Sequence, residues 1–256
     1  LELAGYLDGM ESEPQVLAKY VTPDDDAYSL ESRARSWLAV NCAYCHSESG
    51  SVPANWDATM GLNLFETGLI NGSVEGGVED PMDRLIVPGS DEHSVIVNRA
   101  AARNGYSRMP PLATSEIDEE GVQLLIDWIN SELPERESYP AWRERLFGDS
   151  EDGGPDVDAD SDGRDNRSEY LAKTNPLQVD SAPSPAILPM ENDLRVSLPD
   201  LSGRGQILES STDLETWEVW PADGNDGLTR PEGAAQEFMV PQNEEHRFFR
   251  SRIEER

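Results

Sequence analysis

The sequence predicts a multidomain chain: an all-α domain, an acidic linker, and a small all-β sandwich. Three observations predict it. Apolar residues recur at helical spacing around residues 29–41, 90–99 and 115–129. The most acidic stretch, Asp149 to Asp165, follows. After residue 183 the pattern becomes short strand-forming runs separated by Pro, Gly, Asn and Asp. The boundaries read as a lead-in over 1–27, the helical domain over 28–148, the linker over 149–182 and the β module over 183–256.

Composition narrows the classes. The 256 residues are 28% charged and 37% hydrophobic, with 18 Pro and 20 Gly, which suits several small loop-rich modules better than one large core. The formal net charge of −31 disfavours nucleic acid and anionic membrane surfaces as partners and favours a cationic one, although such charge also serves solubility alone. No apolar run approaches the roughly 18 residues of a membrane span.

The helical domain is organised around Cys42-Ala43-Tyr44-Cys45-His46, a Cys-x-x-Cys-His pattern. That is the attachment signature of haem c: two thiols form thioethers with the vinyl groups, and the next imidazole becomes the proximal iron ligand. A structural zinc site needs four ligands, and the chain has no third Cys and only His93 and His246 besides His46. A thioredoxin-like pair needs a βαβ setting, and a plain disulfide leaves His46 unexplained.

The first helix, over 29–41, carries Leu30, Ala34, Trp37 and Leu38 and delivers the chain to Cys42. Trp37 reads as core or haem packing. Residues 47–89, rich in Gly and Asn, read as a loop around one haem edge. A second helix is expected to start at Ser90-Asp91-Glu92 and to carry Val95, Ile96 and Arg99. His93, in its first turn, is a further candidate iron ligand, with a solvated surface residue the plainer reading. A third is expected to begin at Ser115 and Asp118, with Val122, Leu125, Ile126 and Ile129 on one stripe and Leu124 and Trp128 beside it, and to stop at Pro134. Between them, Arg108-Met109-Pro110-Pro111-Leu112 offers Met109 as the second iron ligand on a stiff strap. Met60 and Met82 compete for that role, and core filling is the plainer use of a Met.

Helix, haem motif, long loop, Met-Pro-Pro strap and Trp-containing last helix together resemble a class I cytochrome c. Residues 33–46, Leu85-Ile86-Val87-Pro88-Gly89, Arg108–Leu112 and Asp127-Trp128-Ile129 are similar to the cytochrome module fused to bacterial quinoprotein sugar-dehydrogenase-like proteins, over about 28–133. The resemblance implies an all-α cytochrome c domain. It also implies electron relay from a fused or docked quinoprotein-type dehydrogenase to a further acceptor, with no catalytic residue in this chain. Arg99 and Arg108 are candidates to pair haem propionates. In that pattern a Pro soon after the motif bonds the proximal His, whereas the first one here is Pro53. Haem attachment to such motifs takes place outside the cytoplasmic membrane, so a bacterial periplasmic or extracellular location is expected. A leader or upstream domain ahead of Leu1 is expected to have been removed.

In the linker, Asp158-x-Asp160-x-Asp162-Gly163 followed by Asn166 and Glu169 matches the twelve-residue calcium loop. Asp158, Asp160 and Asp162 supply carboxylates, Arg164 a backbone carbonyl, and Glu169 a bidentate carboxylate. Position 8 is Asp165, where paired calcium hands place an apolar residue, and no helix is expected before the loop. A short helix through Tyr170, Leu171 and Lys173 is expected after it. The loop resembles a dockerin or thrombospondin-type half-hand that stiffens a join; a solvated acidic linker is the plainer alternative.

Strands are expected at Leu194–Leu198, Gln206–Ser210, Trp217–Trp220, Glu237–Val240 and Phe248–Ile253, in an immunoglobulin- or fibronectin-III-like sandwich of five to seven strands. Trp217 and Phe249 read as core. Residues 209–217 with Phe248-Phe249-Arg250 resemble a C-terminal β module of secreted bacterial proteins. Two other readings of function stand beside electron transfer. One is a haem enzyme or gas sensor with an open sixth position. The other is a calcium-stiffened adhesion or carbohydrate-binding module carrying an accessory haem domain.

Overall fold

A computed structural model of the protein describes residues 19–52, 55–75, 80–103, 105–111, 115–179, 182–242 and 247–254. Most of the lead-in, together with Pro53, Leu112 and His246, lies outside the described residues.

Helix α1 (Leu30–Cys42) starts because Ser29 accepts a hydrogen bond from the Ser32 amide at 3.1 Å. Two more of its first amides, Leu30 and Glu31, donate to the Glu132 carboxylate at 2.9 and 2.8 Å. An anion at this end also suits the helix dipole. Burial holds the Glu132 carboxyl above its ordinary pKa despite those bonds. Helix α2 (Val95–Ala100) and helix α3 (Glu119–Asp127) complete this half. Asp118 caps α3 through the Gly121 amide and also accepts the Trp37 indole N–H at 2.7 Å, so one carboxylate fixes where α3 begins and where α1 lies against it. Past Asp127 the chain widens into a π-helical turn, Trp128–Glu132, then a 3-10 turn, Leu133–Glu135. Trp128, Ile129 and Leu133 are thereby buried with Leu38, Leu64 and Ile86 in the main core.

Two helix boundaries differ from expectation. Ser94, not Ser90, precedes α2: its hydroxyl donates to the Ser90 carbonyl at 2.7 Å and accepts the Val87 amide at 2.9 Å, so residues 90–94 form a turn rather than a helical first turn. Helix α4 (Tyr139–Phe147) was not expected at all. Its signals are ordinary: Ser138 caps the Ala141 amide, Pro140 sits in the first turn, and Gly148 follows the last residue. Helix α5 (Asn166–Ala172) follows the acidic loop, and Tyr139, Trp142 and Tyr170 of these two helices pack edge to face.

The last third forms strands β1 (Ala186–Pro189), β2 (Asp193–Ser197), β3 (Gly205–Ser211), β4 (Glu218–Val219), β5 (Glu237–Pro241) and β6 (Phe248–Glu254). They make two three-stranded antiparallel sheets, ordered β1-β2-β5 and β4-β3-β6. Val196, Leu208, Phe238 and Val240 from the two sheets meet in one small cluster.

The expected fold class is overturned: the chain is of mixed α and β class, not an all-α cytochrome domain followed by an immunoglobulin-like sandwich. The helices are few and short. The described residues between Cys45 and Ser94 are mostly turns held by isolated bridges, Ile70 to Ile86 and Arg84 to Ser94 among them, because Gly, Asn and Pro residues there cannot sustain helices. The β part is two small sheets and also serves the helical half. Leu228 packs with Val21, Tyr28, Ala39 and Met60. Thr229 donates its amide to Ser32 Oγ at 3.0 Å and accepts the Ser29 amide on its carbonyl at 3.1 Å. The buried pair Arg136–Glu31, at 2.8 Å, lies beside the same join.

Candidate functional site

Helix α1 ends on Cys42, and the next turn is closed by the Cys45 and His46 amides on the Cys42 carbonyl at 3.0 and 2.8 Å. That turn points Cys42, Cys45 and His46 into one apolar cleft. The opposite wall comes from α2 through Val95, Ile96 and Arg99, and from the strap through Met109, Pro110 and Pro111. The Met109 amide donates to the Arg99 carbonyl at 3.1 Å, which ties the strap to the end of α2. About 640 Å³ of space, the open mouth included, is free of protein atoms here.

The electrostatics favour neutral ligands. Burial first, and then the Arg99 guanidinium, holds the His46 imidazole below its ordinary pKa. Burial pushes the Cys42 thiol up to about 12, with Cys45 adding to it. His46 Nδ1 is buried and has no hydrogen-bond partner among the described residues, and the same holds for Arg99 Nε. Two thiols, a neutral imidazole and a thioether around an apolar cleft are the donor set that a covalently held haem requires, so these residues fit the group.

The remaining predicted residues are placed as follows. Arg108 is half-buried and is not among the cleft-lining residues. Met60 is buried against Leu228, and Met82 is exposed. His93 hydrogen-bonds Asp83 through Nδ1 at 3.0 Å and lies 3.9 Å from Asp80, while the Tyr106 hydroxyl donates to Asp83. Sequence reasoning missed Trp56, whose ring stacks on His46 with centroids 4.3 Å apart. Its only signal was a Trp, beside Phe65, in a long polar loop.

At the acidic loop, the carboxylates of Asp158, Asp160 and Asp162 converge, with one oxygen of each within 4.8 Å of the others. The Asp162 and Gly163 amides donate to Asp158 at 3.2 and 2.9 Å, and Gly163 takes a φ of +96° that favours glycine. Arg164 turns its side chain back onto Asp162 at 2.6 Å. Asp165 caps α5 through the Ser168 amide at 2.7 Å, which explains an acid at the eighth position. Asn166 is fully buried and donates to the carbonyls of Asp152 and Gly154, both at 2.7 Å, stapling the two ends of the loop. Glu169 is fully buried and lies outside the close group of three. Among the described residues no helix is long and apolar enough to cross a membrane. Comparison with protein-family models, curated proteins and solved structures finds no match to the chain.

Proposed function

We propose that this chain is a single-haem electron-transfer protein that relays electrons from a dehydrogenase, of the quinoprotein type that the sequence resemblance implies, to a downstream acceptor in the bacterial periplasm or outside the cell. The observation that carries the reading is the meeting of Cys42, Cys45 and His46 with Met109 in one apolar cleft. When bound, the haem supplies one-electron redox chemistry. Cys42 and Cys45 would tether it, and His46 and Met109 would hold the iron. Arg99, whose Nε is buried, lines the same space, and we assign it to the propionates; Arg108 stands outside that lining. Val95, Ile96, Trp37 and Trp56 would shield a bound haem from water on their side, and such burial raises a haem's potential.

Expression with a haem-attachment system tests this. The denatured chain should keep a haem stain and a haem c pyridine spectrum, and Cys42→Ala with Cys45→Ala should abolish both. A wild-type chain that takes up no covalent haem would sink the reading. Met109→Ala should keep the haem but turn the spectrum high-spin, lower the potential and admit carbon monoxide. An unchanged spectrum would remove Met109 from the ligand set. Carbon monoxide binding by the wild type would favour the open-site enzyme or sensor.

We further propose that residues 158–169 bind calcium through Asp158, Asp160, Asp162, the Arg164 carbonyl and Glu169. The converging aspartates and the glycine turn support this.

A further inference from the structure

The join between α5 and the β part holds a second cleft, apart from the haem and calcium residues. Arg204, Lys173, Tyr170, Trp142 and Arg136 line it. Arg204 is only 5% exposed, yet no carboxylate lies within salt-bridge distance of it among the described residues. Its guanidinium lies over the Tyr170 ring, 4.3 Å from the centroid, and one Nη2 bond reaches the Tyr170 carbonyl at 3.1 Å. Arg204 Nε is buried without a partner. A buried guanidinium whose Nε–H lacks an acceptor is costly unless something else satisfies it. The end of α5 offers its carbonyl dipole, which offsets part of the charge.

The neighbours do not complete the balance. Arg136 is spent on Glu31 and on the Gly203 carbonyl. Glu137 is spent on Arg145. Glu135 lines the cleft from an exposed position and makes no ion pair among the described residues. Lys173 sits at the mouth on a left-handed backbone, φ 55°, and its ammonium has no partner among the described residues. Partial burial first, and then the guanidiniums of Arg204 and Arg136, hold that ammonium below its ordinary pKa, against the pull of Glu232 and Asp200. A lysine so placed in a chain of net charge −31 stands in a locally positive field.

We infer that Arg204 and Lys173 form a binding site for a small tetrahedral oxyanion, a sulfate or phosphate group, free or as an ester. A planar guanidinium with unused N–H groups and a flexible ammonium across a narrow cleft are the donors such a group takes. The strongly acidic surface keeps long polyanions out, so the ligand is small.

Isothermal titration of the full chain with sodium sulfate, at constant ionic strength set with chloride, tests it. One saturable site should appear, and Lys173→Ala should weaken it about tenfold or more. Arg204→Gln should remove binding. Because Arg204 also packs on Tyr170, that variant needs an intact fold by circular dichroism, and Lys173→Ala decides the matter if it unfolds. A glucose sulfate that binds tighter than free sulfate assigns the ester as ligand; equal binding assigns the ion. No saturable heat with the wild type, or equal affinity in Lys173→Ala, would overturn the inference.

Discussion

At the scale of single residues, the site depends on a few side chains whose charge is set by their surroundings. Burial, and then Arg99, hold the His46 imidazole below its ordinary pKa, which favours the neutral form that the proposed iron ligation needs. His93 is the opposite case. Its hydrogen bond to Asp83, with Asp80 and Glu92 adding charge, raises its pKa above 6.5. A raised folded pKa means stability that is present below 6.5 and lost as pH rises through the folded value. Thermal midpoints of the wild type should therefore fall from pH 6.5 upward relative to those of His93→Gln, which cannot titrate. Parallel midpoint curves for the two proteins would show that the His93–Asp83 contact does not stabilise the folded state. The sequence read His93 as a solvated residue because neither aspartate that faces it lies at helical spacing from it. Only the turn at residues 80–94 brings them together.

At the scale of elements, the cleft is as well defined as the crossing of α1 and α3. Trp37 lies on Gly121 so closely that an added Cβ would stand 2.0 Å from the indole nitrogen. Gly121→Ala should cost about 1–3 kcal/mol in denaturant unfolding, as overpacking does. It should also disturb the cleft wall, since Trp37 lines it. An alanine variant of wild-type stability would mean that the two helices can part without cost. Helices α1 and α3 were legible because each has a polar cap followed by apolar residues at the right spacing, Ser29 before Leu30 and Asp118 before Val122. Strands β2, β3, β5 and β6 were legible from alternation or from runs of strand formers between Pro, Gly, Asn and Asp. Strand β1 was not: Pro183, Pro185 and Pro189 hide it, and all four of its side chains are exposed, as an edge strand allows. Helix α4 was passed over because its apolar residues make an aromatic cluster with α5 rather than a stripe toward the main core. That Cys42, Cys45 and His46 share one cleft was legible because their fixed spacing puts them on a single turn. Trp56 was not, because stacking leaves no pattern along the chain.

At the scale of the whole molecule, the acidic loop joins two parts that also hold each other directly. The sequence suggested a calcium-stiffened connection between separate modules. Leu228 and Thr229 nevertheless reach the start of α1, and Arg136 bonds both Glu31 and the Gly203 carbonyl. That long-range pairing is invisible in a sequence because nothing local announces it. It changes what calcium removal should do. Without the cation, Asp158, Asp160 and Asp162 repel one another within a few ångströms, beside Asp156 and Asp165. The loop should open, and protease should cut between Gly153 and Arg167. Calcium at about 100 times its Kd would oppose this by roughly 2.7 kcal/mol, and a single unpaired loop is expected to bind at about 10⁻⁴ to 10⁻³ M. The two fragments should still elute together, because the Thr229 and Arg136 contacts do not pass through the loop. The absorbance of a bound haem should not change, because every cleft-lining residue lies between Trp37 and Pro111, ahead of the loop. Limited proteolysis with and without chelator, followed by gel filtration, measures both outcomes. Equal cleavage in the two conditions would reduce the motif to an acidic connection. Fragments that separate would show that the loop, rather than the direct contacts, holds the molecule together.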